Sequence, residues 1–246
     1  MVRDFTVAAF NAHWGIGQFG RYHGVRFDVA RVVQSFGADL VVVPEAWRDE
    51  KGVGILDSLR DDGYNIETIE LMRLEVRERT RNSDRHGVPH VGAWELAICS
   101  RFPVLDRRLI RMGVVRNDPP GLRHALALTV AIDDVPVEMI GLHASSKFWR
   151  LAPIHHLLEL RRGLAKSGPQ ILAGDFNFWG PPIGAAMRGW KRPVRGHTYP
   201  SPHPHSQIDH ILVRGGIRSL GGEVLAATPS DHRPIRARLQ LAGGVT

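Results

Sequence analysis

Apolar runs in this chain repeatedly end, or begin, on a side chain that can carry chemistry. Phe10-Asn11 closes the run from Phe5, Pro44-Glu45 closes Leu40 to Val43, and Leu142-His143 closes Val137 to Leu142. Gly174-Asp175-Phe176-Asn177 closes Gln170 to Ala173, and places a carboxylate and an amide two residues apart, where they can bind and orient a phosphate or its attacking water. Ser206-Gln207-Ile208-Asp209-His210 and Pro229-Ser230-Asp231-His232-Arg233-Pro234 instead open apolar runs. Antiparallel neighbours set the end of one strand beside the start of the next, so the pattern predicts that these polar groups share one rim of a sheet.

The runs at 6–11, 40–44, 64–71, 93–100, 124–132, 137–143, 170–173, 208–213 and 234–241 read as strands. Helical spacing falls at 27–36, where Asp28 is placed to cap an apolar face of Val29, Val32, Val33 and Phe36, and at 154–164. The 40–43 run is apolar throughout, as a strand covered on both faces must be, whereas 124–132 and 135–143 flank Asp133-Asp134 as a hairpin. That mixture predicts an α/β fold in which two mixed sheets pack face to face with helices outside, a four-layer α-β-β-α sandwich.

No Pro/Gly/Ser linker or charge boundary divides the 246 residues, which predicts one domain over 1–246. Met1-Val2-Arg3-Asp4 runs straight into the first strand, and no apolar stretch reaches the ~20 residues that span a bilayer, so a cytoplasmic protein without membrane insertion is expected. Cys99 is the only cysteine and excludes an internal disulfide and a cysteine-rich zinc site together. The net charge of +7 comes almost wholly from arginine, since Lys51, Lys147, Lys166 and Lys191 are the only lysines. Arginine binds phosphate bidentately, so the balance favours a polyanionic partner, with DNA the expected one. Arg101, Arg107, Arg108, Arg111, Arg116 and Arg123 would form a phosphate-tracking face.

In order along nearly the whole chain, Phe10-Asn11, Pro44-Glu45, Ala97 to Pro103, Gly121-Leu122-Arg123, Gly141-Leu142-His143, Gly174 to Asn177, Ile208-Asp209-His210 and Ser230 to Pro234 resemble the motifs of the endonuclease/exonuclease/phosphatase superfamily, the deoxyribonuclease I-like proteins. The resemblance implies the four-layer fold and metal-dependent cleavage of phosphate esters. Glu45 would be the first ligand of Mg2+ or Mn2+, hard ions that prefer oxygen, with Asn11 and Asp231 as companions. Asp209 would fix the tautomer of His232, which handles the proton of water or leaving group. Asp175 could take that proton instead, with Asn177 holding a phosphoryl oxygen, and the sequence leaves this choice open. His143 would donate to a non-bridging oxygen and Arg123 would grip the phosphate. Abasic-site endonucleases usually carry tyrosine near the His143 position, and the Trp-Cys-Asp-Arg core of inositol 5-phosphatases is missing, so the resemblance leans away from both. Resemblance and charge together point to a DNA-hydrolysing phosphodiesterase. A sphingomyelinase-like or small-molecule phosphoesterase is the alternative, and a non-catalytic nucleic-acid-binding module the third reading.

Other signals carry less. Gly15-Ile16-Gly17-Gln18-Phe19-Gly20 spells a dinucleotide-binding motif, but residues 11–14 separate it from its strand and Arg21-Tyr22-His23-Gly24 follows instead of a helix. His197, His203, His205 and His210 lie in a Pro-rich stretch without helical spacing or cysteine partners, which predicts a rim loop rather than a zinc site. Arg73 to His90, with mixed charges, reads either as a solvated loop or as a substrate-facing arm, and Glu95 reads as an exposed strand residue or a partner of His143.

Overall fold

The computed structural model describes residues 4–80, 87–148 and 151–242. Its strands are β1 (Asp4–Ala9), β2 (Leu40–Asp49), β3 (Asn65–Glu78), β4 (Val88–Ser100), β5 (Val104–Val114), β6 (Leu122–Ile132), β7 (Val135–His143), β8 (Gln170–Asp175), β9 (Asp209–Arg214), β10 (Ile217–Val224) and β11 (Ile235–Leu241). They form a six-stranded sheet ordered β10-β11-β1-β2-β4-β3 and a five-stranded sheet ordered β5-β6-β7-β8-β9. Among the described residues three α-helices accompany them, α1 (Val29–Ser35), α2 (Ala152–Gly163) and α3 (Gly180–Ala186), besides short 3-10 turns.

Period-two alternation makes the four layers. Val7, Ala9, Leu40, Val42, Leu96 and Ile98 face the second sheet and meet Leu126, Leu128, Met139, Ile171, Ala173 and Ile211. Their neighbours Ala8, Phe10, Val41, Val43, Ala97 and Cys99 face outward under Val29, Val33 and Phe36 of α1. On the far side, Ile140, Leu142 and Leu172 are covered by Leu157 and Leu160 of α2 and Ile183 of α3. The unbroken apolar character of 40–43 thus reflects burial on both faces. Gly141 lies where the sheets approach closely, since a Cβ there would meet Val42 and Ile98 at 3.1 Å.

Each parallel pair in these sheets is bridged by a helix, α1 between β1 and β2 and α2 between β7 and β8. Both crossovers bring the carboxyl ends of their strands to the same rim. Asp28 caps α1 as expected, accepting from the Arg31 amide at 2.9 Å.

Several elements differ from the sequence reading. β5 and β10 were not anticipated: both are edge strands with one face in solvent, so neither shows a buried-strand signature. α3 begins Gly-Pro-Pro, which reads as loop, yet prolines fit the first helical turn, where amide donors have no helical partner. The segment from Arg73 to Glu78 is not a solvated loop; β3 and β4 pair as a hairpin from Asn65–Ser100 out to Glu78–Val88, while 81–86 lie outside the described residues. The expected phosphate-tracking face does not form as one surface. Arg107 pairs with Glu67 at 3.1 Å and donates to the Thr68 carbonyl, and its neighbour Arg108 pairs with Glu138 on another strand. Arg101 donates to the Asp62 carbonyl and stacks over Tyr64. Among the described residues no helix is long and apolar enough to cross a membrane.

Candidate active site

The expected rim exists, but it belongs to both sheets. In the second sheet, strand register places His143 beside Asp175 and Asp175 beside Asp209, so the ends of β7 and β8 and the start of β9 present three polar side chains in a row. The first sheet supplies Asn11 after β1, Glu45 from β2, and Asp231 and His232 from the turn before β11. Ser230 ties that turn down, its hydroxyl donating to the Asn11 carbonyl at 2.7 Å and accepting from the His232 amide at 3.2 Å.

Glu45 does not end its strand. β2 runs on to Asp49, but the register with β4 shifts between Val43 and Ala46, and Glu45 sits in the left-handed region at φ 54°. The irregularity is a bulge, and it turns the carboxylate out of the pleat and into the site. Pro44, which has no amide hydrogen to pair, tolerates this position.

Asn11 accepts from the His13 amide through Oδ1 at 3.0 Å, which turns its NH2 toward the carboxylates: Nδ2 donates to Glu45 at 3.2 Å and to Asp175 at 3.1 Å. The amide therefore clamps two acids, and the oxygen expected to face a metal is turned to the backbone. Asp175 also accepts from the Asn177 amide at 2.7 Å, while Asn177 Nδ2 lies 3.0 Å from the Ala144 carbonyl. Asn177, at φ 50°, makes the tight turn that closes the rim after β8. His232 Nδ1 is 2.8 Å from Asp209 Oδ2, and the backbone of Asp209 donates to Thr198 Oγ1 at 3.3 Å. The contact with Asp209 engages Nδ1–H and leaves His232 Nε2 facing Asp175, 3.9 Å away. His143 Nε2 lies 3.5 Å from Asp175 and 3.8 Å from Glu45.

Arg123 is in the site but not free. It is buried, its guanidinium forked onto Asp118, and a third donor reaches the His143 carbonyl at 3.0 Å. Asp118 also accepts from Ser145 at 2.9 Å. The phosphate-gripping role expected of Arg123 is replaced by holding β7 and His143 in place, with its positive charge still beside the pocket. Glu95 departs from both expectations: it is buried and pairs with Arg48 at 2.9 Å. His210 is no loop histidine; it lies in β9 with Nε2 on the Phe178 carbonyl at 2.9 Å.

Burial sets the charges. It pushes Asp175 up to about 7, assisted by the neighbouring charges of Asp209 and Glu45 and opposed by His232. Burial raises Glu45 likewise, with Asp231 adding to it and His13 and Asn11 opposing. For His232 burial works toward the neutral ring, but the charges of Asp209 and Asp175 prevail and hold it well above the usual histidine range. His143, with burial and the Arg123 charge acting in one direction, is held well below that range and is neutral.

The pocket enclosed by these groups has a volume of about 480 Å³. Glu45, Asp175, Asp231, His143 and His232 line it together with Trp94, Phe148, Trp179 and Tyr199, and the Trp94 and Tyr199 rings pack on His143 and His232. These aromatics escaped the sequence reading: Trp94 is one apolar residue within a strand, and only its packing on His143 at 5.2 Å marks it. Trp179, two residues beyond Asn177, was signalled only by that adjacency.

Donor chemistry tests the fit of a metal. Ligand atoms of Asp175, Asp209 and His232 all lie within 4.8 Å of one another, but His232 Nδ1 is already engaged by Asp209. Glu45 Oε2 and Asp209 Oδ1 are both buried without a hydrogen-bond partner among the described residues, and of the two residues Glu45 is the one that lines the pocket. An unpartnered carboxylate oxygen among other carboxylates suits a hard divalent cation, which Glu45 and Asp231 would hold.

A sandwich whose rim gathers carboxylates and a carboxylate-anchored histidine over one pocket is built for hydrolysis of phosphate esters. Residues 8–232 match the Endonuclease/Exonuclease/phosphatase family, and the chain belongs to it. Among solved structures it is similar to an endonuclease/exonuclease/phosphatase from Beutenbergia cavernae, with 21% identity and a TM-score of 0.74 over 98% of this chain and 72% of that one. It is also similar to a mannosyl-6-phosphatase from Bacteroides thetaiotaomicron, with 18% identity and a TM-score of 0.66 over 96% and 99% of the two chains. ANGEL2, a 2′,3′-cyclic phosphatase, shares 17% identity at a TM-score of 0.69 over 98% and 96%. At these identities the likeness is one of fold. No curated protein is significantly similar in sequence.

Proposed function

We propose that this protein hydrolyses phosphodiesters. The observation that carries the reading is the convergence on one pocket of His232, anchored at 2.8 Å by Asp209, with the clamped carboxylates of Glu45 and Asp175. Asp175, poised near neutrality and oriented by Asn11 and Asn177, takes the proton of the attacking water. His232, kept charged by Asp209, donates from Nε2 to the phosphoryl group and stabilises the charge that develops there. Neutral His143 donates to a second phosphoryl oxygen, with Arg123 behind it adding positive field. A bound Mg2+ or Mn2+, held by Glu45 and Asp231, would neutralise phosphate charge.

For the substrate, the net charge of +7 supports a DNA nuclease. Against it stands the pairing of Arg107 and Arg108 within the fold. A specific observation favours the phospholipid or small-molecule reading: Trp94, Phe148, Trp179 and Tyr199 line the pocket beside the acids and histidines, surface suited to an apolar substituent on the phosphate. Turnover of bis(p-nitrophenyl) phosphate beside plasmid DNA, RNA, sphingomyelin and p-nitrophenyl phosphate tests both levels. A diester hydrolysed by the native protein and not by His232→Ala supports the reading; activity confined to the monoester contradicts it.

A further inference from the structure

Beside the catalytic pocket runs a groove of about 610 Å³ between α2 and α3. Ile154 and Leu158 of α2 form one wall and Pro182 and Ala185 of α3 the other, over Phe178. Among the described residues the side chains that line it are aliphatic or aromatic. Phe148 and Trp179 belong to groove and catalytic pocket alike, so the two adjoin. Trp179 stands at the junction, its ring stacked on Phe178 with centroids 4.2 Å apart and planes 12° from parallel. The apolar surface is open to solvent: Phe148 is 51% exposed, Leu158 45% and Trp179 48%. Patches of this kind on soluble proteins commonly mark a binding surface.

Among the described residues the only side-chain hydrogen-bonding group that this lining offers is the Trp179 indole N–H, too little to recognise a sugar, base or phosphate. What it can hold is hydrocarbon, and because it adjoins the pocket of acids and histidines across Phe148 and Trp179, a molecule seated at one can extend toward the other. The geometry points to the groove as the subsite for an aliphatic chain of the substrate, an amphiphilic phosphodiester whose phosphate lies at His232 and whose tail lies between α2 and α3. The inference rests on the phosphodiesterase reading and names its substrate class. Water attacks phosphorus, the leaving alcohol or phenol departs with the bonding electrons and gains a proton, and the tail stays on the phosphate product.

The test compares p-nitrophenyl ethyl phosphate with p-nitrophenyl octyl phosphate at monomeric concentrations. Half-burial of each added methylene gives about twofold per carbon, or roughly 60-fold in kcat/KM from ethyl to octyl. Leu158→Asp and Ala185→Asp, both at exposed helical positions outside the lining of the catalytic pocket, should bring the ratio down to a few-fold and leave ethyl ester turnover unchanged. A native ratio near one, or a high ratio that survives in both variants, overturns the inference. Should neither ester turn over, the phosphodiesterase reading fails, and calorimetry with octyl and ethyl phosphate decides the groove by itself. Octyl-selective binding lost in either variant sustains it, and equal or absent binding overturns it. A dimer that dissociates on Leu158→Asp but not on adding octyl phosphate would show the groove to be a contact between copies, and would also overturn it.

Discussion

Replacing Asp209 by asparagine removes one charge and little volume from a site where both partners are buried. In the native protein Asp209 Oδ2 meets His232 Nδ1 at 2.8 Å, and its charge is what holds the imidazolium against the cost of burial. A hydrogen bond between charged groups contributes about 1.5–3 kcal/mol, so losing it lowers the charged, correctly turned His232 population by roughly tenfold to a hundredfold. Removing the proton donor altogether, as in His232→Ala, costs about 10² to 10⁴. The assay is kcat/KM on bis(p-nitrophenyl) phosphate for Asp209→Asn, His232→Ala and the double variant. Because Asp209 acts through His232, the double variant should be no slower than His232→Ala. Multiplicative losses in the double variant would refute the coupling and would give Asp209 a contact of its own with substrate or metal.

Acid should destabilise the fold in part through His210. Burial against Phe176 and Phe178 lowers its pKa to about 4 from an unfolded value near 6.5, so the unfolded chain binds a proton that the native one refuses. Its contribution, full above pH ~6.5, should fall by about 3 kcal/mol as pH drops toward 4; urea unfolding of His210→Gln should show a shallower slope in that window, and an unchanged slope would exclude His210 as the source. Asp118→Ala leaves the buried Arg123 guanidinium without its carboxylate and should cost about 3–5 kcal/mol in denaturant unfolding, whereas a loss under 1 kcal/mol would show that water replaces the partner.

How far the sequence could be read depended on whether a signal was local. Asp175, Asp209 and His143 were legible because strand period and register put them side by side, and the residues that align them are the apolar runs themselves. Glu45 was found by position, although the apparent strand stop at Pro44 was a bulge in a longer strand. Asn11 and Arg123 were placed correctly but given different work by partners that no motif shows: the His13 amide turns the Asn11 oxygen away, and Asp118 occupies the Arg123 fork. Glu95 is buried because Arg48 reaches it across the sheet, a contact between residues far apart in the chain. The groove was hidden because Gly180-Pro181-Pro182 masks a helix, and because the apolar faces of α2 and α3 signal ordinary core until their neighbours are known.

The central claim is that one rim, with Glu45 as its cation ligand, performs the hydrolysis. Its most direct test is bis(p-nitrophenyl) phosphate turnover by chelator-treated protein titrated with Mg2+ or Mn2+, for the native chain and for Glu45→Gln. Turnover should vanish in chelator and return with added metal in the native protein. The folded Glu45→Gln variant should lose most activity or require far more metal, because its buried Oε2 is exchanged for a neutral group. Full turnover in excess chelator, or a Glu45→Gln variant with native activity and native metal dependence, would contradict the account.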